Sequence, residues 1–161
     1  MANEIIEFGN WEGKPIKWNI LKEDDFQMLL VSKKSLIYMQ YANQDNSTWQ
    51  SSNVRKYLNE NFYYEAFSNS ERLKIINALL PDVGNAKDNI FVLSYDEANS
   101  LLSSDSKRKN SLNIPQRNNN YTVLRTPNNY ERITLIYREG YFTDGWASAD
   151  WWVNPALYLK K

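Results

Sequence analysis

The sequence predicts an α+β domain organised around an antiparallel sheet. Three observations carry this prediction: segments near the amino terminus that alternate apolar and polar residues, capping-box sequences that open helices in the middle of the chain, and a return to strand-like segments after residue 120. At 161 residues the chain has the length of one domain, 1–161. That is enough to bury about two thirds of the surface its unfolded form exposes.

The first strands are read at residues 5–8 and 16–21, where Ile16, Trp18 and Ile20 share one face and Lys17 and Asn19 the other. The polar turn Lys22-Glu-Asp-Asp25 leads into Phe26-Gln-Met-Leu-Leu-Val31, which makes residues 16–31 a β-hairpin, and residues 40–48 read as loop. From Ser51 or Ser52 as cap, Val54, Tyr57, Leu58 and Phe62 recur at helical spacing, with Arg55, Lys56, Asn59 and Glu60 opposite. Ser68-Asn-Ser-Glu71 is a capping box, and Leu73, Ile76, Leu79 and Leu80 extend a second helix to the stop at Pro81. Ile90-Phe-Val-Leu93 reads as a short strand, and the capping box Ser94-Tyr-Asp-Glu97 starts a helix carrying Ala98, Leu101 and Leu102. Residues 103–120 hold almost nothing apolar and read as a long loop. Strand-like segments follow at 121–125, 132–138 and 151–159, separated by the turn dipeptides and tripeptides Pro127-Asn-Asn129, Glu139-Gly140 and Asp144-Gly145. The last strand is expected beside the first.

Composition removes several chemistries. The chain has no cysteine and no histidine, which excludes disulfides, thiolate nucleophiles, Ser/His/Asp and Cys/His catalysis, and the usual zinc or copper ligand sets. Carboxylates, Lys, Tyr or Ser remain for any catalysis. Lys+Arg and Asp+Glu both number 19; the balance holds in each half, so no global field attracts a polyanion. The amino-terminal residues Met1 to Gly9 place acids where an export signal needs a basic region and an apolar run, and no 18 apolar residues run together. The expected location is cytoplasmic, with no membrane partner.

Three stretches carry a resemblance: Phe8-Gly-Asn-Trp11 with Pro15-Ile-Lys-Trp-Asn-Ile-Leu21; Thr48-Trp-Gln-Ser-Ser-Asn-Val-Arg-Lys-Tyr-Leu-Asn59 with Phe62-Tyr-Tyr-Glu-Ala-Phe67; and Trp152-Val-Asn-Pro-Ala-Leu-Tyr-Leu159. In this order over nearly the whole chain they resemble a bacterial and phage domain family with no established activity. Its members are similar to the C-type-lectin-like fold of the formylglycine-generating-enzyme group. Phe91-Val-Leu-Ser94 with Asp96-Glu-Ala98 looks like that family's central strand and helix start, and Tyr121-Thr-Val-Leu-Arg-Thr-Pro127 like its WLRSP segment. Asn154 stands where the family's terminal motif usually has Arg. The resemblance implies a C-type-lectin-like domain with a twisted antiparallel sheet, two or three helices and a long loop region. Formylglycine generation needs cysteines, the related sulfoxide synthases need histidines, and the calcium-holding EPN, QPD and WND triplets of sugar-binding lectins are absent.

The candidate surface lies between Tyr130 and Trp152, where Tyr137, Tyr141, Phe142, Trp146, Trp151 and Trp152 are interleaved with Arg132, Arg138, Asp144 and Asp150. Rigid aromatic rings beside charges recur at interface hot spots and sugar-stacking platforms. Strand alternation assigns Trp152 to the core, whereas Trp146, in a turn, and Trp151 are read as surface residues. Asp144 and Asp150 could chelate calcium or act as acid and base if they converged, against a turn role for Asp144. Arg125 is read as an anchor of the long loop that also borders the surface. Lys107-Arg-Lys109 with Arg117 and Arg125 forms a local basic patch, but the neutral balance makes a solvated loop the stronger reading and nucleic acid an unexpected partner.

The sequence therefore points to a non-catalytic recognition domain presenting the surface of residues 103–152 to a macromolecular partner, in first place a protein. The binding residues are Arg125, Tyr130, Arg138, Tyr141, Asp144, Trp146, Asp150 and Trp151. A carbohydrate-binding module stacking sugars on Trp146, Trp151 or Tyr141 is the alternative, and a carboxylate-dependent hydrolase using Asp144 and Asp150 the third. No cofactor and no metal are expected. An exposed aromatic face could equally serve a homodimer.

Overall fold

The computed structural model describes residues 3–161. Strands β1 (Ile5–Trp11), β2 (Lys14–Glu23) and β3 (Gln27–Ser32) run as a meander, and β4 (Ile37–Gln40) follows. The helical part comprises α1 (Asn53–Tyr57), a π-type turn at Leu58–Phe62, α2 (Tyr63–Ala66) and α3 (Asn69–Arg72). A small ribbon pairs β5 (Ala78–Leu80) with β6 (Ala86–Asp88), and α4 (Tyr95–Leu101) and α5 (Asp105–Leu112) precede the final strands. These are β7 (Tyr121–Pro127), β8 (Arg132–Tyr137), β9 (Phe142–Trp146), β10 (Asp150–Val153) and β11 (Ala156–Lys160). One sheet has the order β1-β2-β3-β11 and the other β4-β10-β7-β8-β9; every pairing is antiparallel except β10 with β7. The fold is α+β with mostly antiparallel sheets. Among the described residues no helix is long and apolar enough to cross a membrane.

The core forms where strand alternation and helix spacing meet. Trp18, Trp49, Tyr41, Phe62 and Phe91 are fully buried, and the indoles keep their donors satisfied: Trp18 Nε1 donates to the Phe8 carbonyl at 2.7 Å and Trp49 Nε1 to Asp88 at 2.8 Å. The other Asp88 oxygen accepts from Arg55 at 2.7 Å. In the helical run, Ser52 caps α1 by accepting from the Arg55 backbone N–H. Asn59 donates to the Arg55 and Ile90 carbonyls and accepts from the Asn89 and Ile90 backbone. Diverting a helix carbonyl in this way accompanies the π-type widening.

Several expectations are corrected. The helix after Ser68 stops at Arg72, leaving Leu73 exposed, because the following backbone docks beside β11 through Ile76 N–H to the Tyr158 carbonyl and a bridge from Ile75 to Leu159; Leu79, also exposed, sits in β5 opposite Lys87 of β6. Tertiary pairing overrides the helical period there. Residues 90–93 make only a single bridge, Phe91 with Ala156. The stretch 103–120 is not all loop: Ser104 caps α5, and Asn113, at φ 45°, ends it in the left-handed conformation. Asp144-Gly145 is no turn but lies within β9, and Trp146 ends that strand. The segment 151–159 is two strands in two sheets, and the last, β11, lies beside β3 rather than β1.

Between β10 and β11 stands Asn154, 4% exposed. Its amide donates to the Leu112 and Ser32 carbonyls at 2.9 and 3.3 Å, and its oxygen accepts from the Ser35 and Thr122 hydroxyls at 2.7 and 2.8 Å. Every hydrogen-bonding position of the amide is used. An arginine, with donors only, could not accept from the two hydroxyls as the Asn154 oxygen does.

Candidate functional site

Strand β9 is an edge of the five-stranded sheet. Tyr137 N–H donates to the Tyr141 carbonyl and Ala147 N–H to Glu131, which fixes the alternation of the β8–β9 ladder. Phe142, Asp144 and Trp146 therefore turn their backbone groups to the outer edge. None of their three N–H groups has an acceptor among the described residues. Of their carbonyls, those of Asp144 and Trp146 accept from Arg132 and Trp151 side chains.

Aromatic rings flank this edge on both sides. On one side a row runs from the residue just before β9 across β8, β7 and β10: Tyr141 to Tyr137 at 4.9 Å between centroids, Tyr137 to Tyr121 at 5.2 Å, and Tyr121 to Trp151 at 5.9 Å. Tyr141 is exposed at the outer end of the row. Burial first, then the neighbouring Tyr137, Tyr121, Glu139 and Asp105, push its hydroxyl pKa up, so the group stays a donor. On the other side the Arg132 guanidinium lies 4.6 Å from the half-exposed Trp146 ring and 3.3 Å from Asp144, which also accepts from Asn128. Tyr130, in the turn between β7 and β8, is the most exposed ring of this region at 71%.

Other predicted residues are placed elsewhere. Trp151 is 8% exposed, its ring packed where a side chain on Gly145 would stand and its Nε1 donating to the Trp146 carbonyl at 3.0 Å. Its assignment to the surface is overturned because β10 is an inner strand between β4 and β7, with residues 151–153 buried on both faces. Trp152 is buried, as expected. Arg125, 3% exposed, is an internal anchor, though not of the long loop. It makes two bonds of 3.0 Å to Asp82, one of 2.7 Å to Glu97 and one of 2.7 Å to the Val92 carbonyl. Burial works against its charge, and Glu97 and then Asp82 more than offset it, so its pKa is raised. Arg138 borders Tyr141's turn and approaches Glu139 at 3.5 Å. A hydrogen bond from Lys109, then the charge of Arg138, holds the Glu139 carboxyl below its ordinary range.

Asp150 is exposed on β10, separated from Asp144 on β9 by β7 and β8. Three inter-strand steps put the two roughly 14 Å apart or more, outside the roughly 5 to 10 Å that paired carboxylates need for glycoside hydrolysis. The hydrolase alternative loses its geometry. Among the described residues no three carboxylates gather into a metal-binding group. The proposed basic patch also dissolves: Arg108 is buried, bonded to the Gly140 and Leu102 carbonyls, Arg125 is internal, and Lys109 pairs with Glu139 at 2.8 Å.

Sequence reasoning found Tyr130, Tyr141 and Trp146 as exposed rings but missed β9 itself, since Asp-Gly masks a strand whose only apolar residues stand at its ends. Residues 26–161 match the profile of a family described as Domain of unknown function (DUF6273). No curated protein and no solved structure matches the chain.

Proposed function

We propose that this chain, which belongs to the DUF6273 family, is a non-catalytic recognition domain that binds a protein partner along the β9 edge. One observation carries the reading: an edge strand with three unpartnered N–H donors, bordered by the exposed rings of Tyr130, Tyr141 and Trp146. An extended protein segment satisfies such donors by adding a strand, while side-chain contacts with the rings set specificity. A sugar would use the rings and have no need of the row of main-chain donors. Edges are commonly blunted by Lys, Pro or a bulge. Strand β9 carries none of the three, its register with β8 running unbroken from Arg132 with Trp146 to Ile136 with Phe142. The finer reading of the fold as C-type-lectin-like belongs to the same proposal, supported by the return of β11 to the amino-terminal sheet.

The test uses Asp144, whose N–H faces outward. Asp144→Pro removes that donor without touching the β8 ladder, a place where edge strands tolerate proline. Asp144→Ala keeps the donor and removes only the carboxylate. A protein enriched from source-cell lysate by wild type and Asp144→Ala, and lost with Asp144→Pro and with Trp146→Ala/Tyr141→Ala, supports the reading. Equal capture by Asp144→Pro overturns the edge mode, and selective retention on a glycan array in place of a protein overturns the partner class.

A further inference from the structure

A concavity of about 940 Å³ lies away from β9, between the β1–β2 hairpin, the residues after β3 and the segment after α5. Its lining holds five cations, Lys14, Lys17, Lys33, Lys34 and Arg117, against two acids, Glu7 and Glu12. All five cations are exposed, and none makes an ion pair with a described residue. In a chain of zero net charge this is a local excess of three. The two acids sit at the hairpin end, Glu7 opposite Lys17 in the β1–β2 register and Glu12 two residues before Lys14. Lys33 follows in line, its N–H donating to the Lys17 carbonyl at 2.9 Å, and Lys33, Lys34 and Arg117 make no ion pair with either acid.

We propose that this groove binds an acidic peptide segment of a protein, its carboxylates held by Lys33, Lys34 and Arg117 and its apolar residues on the partly exposed Leu36 and Pro115. Charge complementarity selects an anion, and the rings select a peptide over a nucleic acid. Base stacking needs open ring faces. Trp152 is 5% exposed, with Arg117 lying 5.3 Å from its ring and Tyr38 at 5.0 Å. Trp11 packs its ring 4.9 Å from Phe62. The groove thus offers cations above rings already covered, which suits carboxylates with intervening aliphatic side chains. The site shares no residue with β9, so its test is independent of the role proposed there.

The probe is a fluorescein-labelled peptide of about eight residues alternating Glu and Leu, long enough as an extended strand to span about 26 Å. Anisotropy is read with wild type, with Lys33→Glu/Lys34→Glu/Arg117→Glu, and with Lys56→Glu/Lys74→Glu/Lys87→Glu, which changes charge equally at exposed sites elsewhere; circular dichroism verifies that each is folded. The groove variant is expected to bind at least about tenfold more weakly, and the control variant as well as wild type. Raising ionic strength from about 0.05 to about 0.3 M is expected to weaken wild-type binding in the same direction. No binding by wild type, or equal losses in both variants, overturns the site. An oligothymidylate that binds more tightly than the peptide and is lost in the groove variant overturns the choice of occupant.

Discussion

Replacing Arg125 by methionine removes a guanidinium that is 3% exposed and joins three segments: Asp82 in the turn after β5, the Val92 carbonyl and Glu97 in the first turn of α4. Breaking a buried ion pair by deleting one partner costs about 3 to 5 kcal/mol because the other charge is left uncompensated. Here the Asp82 side chain is 40% exposed and rehydrates, whereas Glu97 is 19% exposed and the Val92 carbonyl loses its charged donor in the interior. The low end of the range therefore applies, about 3 kcal/mol. For a chain of this size each kcal/mol lowers Tm by roughly 2 to 4 °C, so a fall of about 6 to 12 °C is expected by differential scanning calorimetry, with urea unfolding giving the free energy. Neutralising the stranded acids as well, in Arg125→Met/Asp82→Asn/Glu97→Gln, is expected to restore at least about 1 kcal/mol, since glutamine keeps the α4 capping box. A single-variant cost under about 1 kcal/mol, or a triple variant no better than the single one, would refute the assignment of Arg125 to the interior anchor.

Asn154→Ala strips partners from the Leu112 and Ser32 carbonyls and the Ser35 hydroxyl at once; a loss of about 2 to 4 kcal/mol is expected in urea titration. Gly140→Ala places a methyl group against the Asp105 backbone at a φ of 100°, and a loss of at least about 2 kcal/mol with faster amide exchange in α5 is the expected result. Trp151→Ala opens a core cavity and should cost about 3 to 5 kcal/mol, while Trp146→Ala should stay within about 1 kcal/mol of wild type in the same denaturation assay. Burial pushes the Glu71 carboxyl up, but bonds from the Ser68 and Gly9 backbone and the Ser68 hydroxyl outweigh it and leave its pKa below the ordinary 4.5. A depressed folded-state value stabilises above the unfolded one and fades as pH falls through it. The stability gap between wild type and Glu71→Gln should accordingly be full at neutral pH and close below pH 4.5, measured as urea midpoints.

What could be read in advance depended on how local the cause was. The β2–β3 hairpin announced itself through Ile16, Trp18 and Ile20, and the caps at Ser52, Ser68 and Ser94 act through hydrogen bonds within three residues. Helix α5 was missed because its inward face is Arg108, Ser111 and Leu112. Two of those three residues are polar, and Arg108 is admitted only by carbonyls from Leu102 and Gly140 that no local pattern discloses. Leu73 and Leu79 misled in the opposite sense: their spacing suits a helix, yet the backbone after Leu73 is claimed by β11 from more than eighty residues away and Leu79 by its ribbon partner Lys87 on β6. At the candidate site, Tyr130, Tyr141 and Trp146 were legible as aromatics in polar company. Trp151 and Arg125 were not legible as interior, because their burial is decided by β10 lying against β4 and β7 and by acids at positions 82 and 97.

The stretch from Asp150 to Lys160 supplies an inner strand to one sheet and closes the other, with only Asn154 and Pro155 between. Without that stretch β4 would have no neighbour and β3 an open flank. Such long-range closure implies a high contact order and slow acquisition of structure, with both sheets completed by one short stretch of chain.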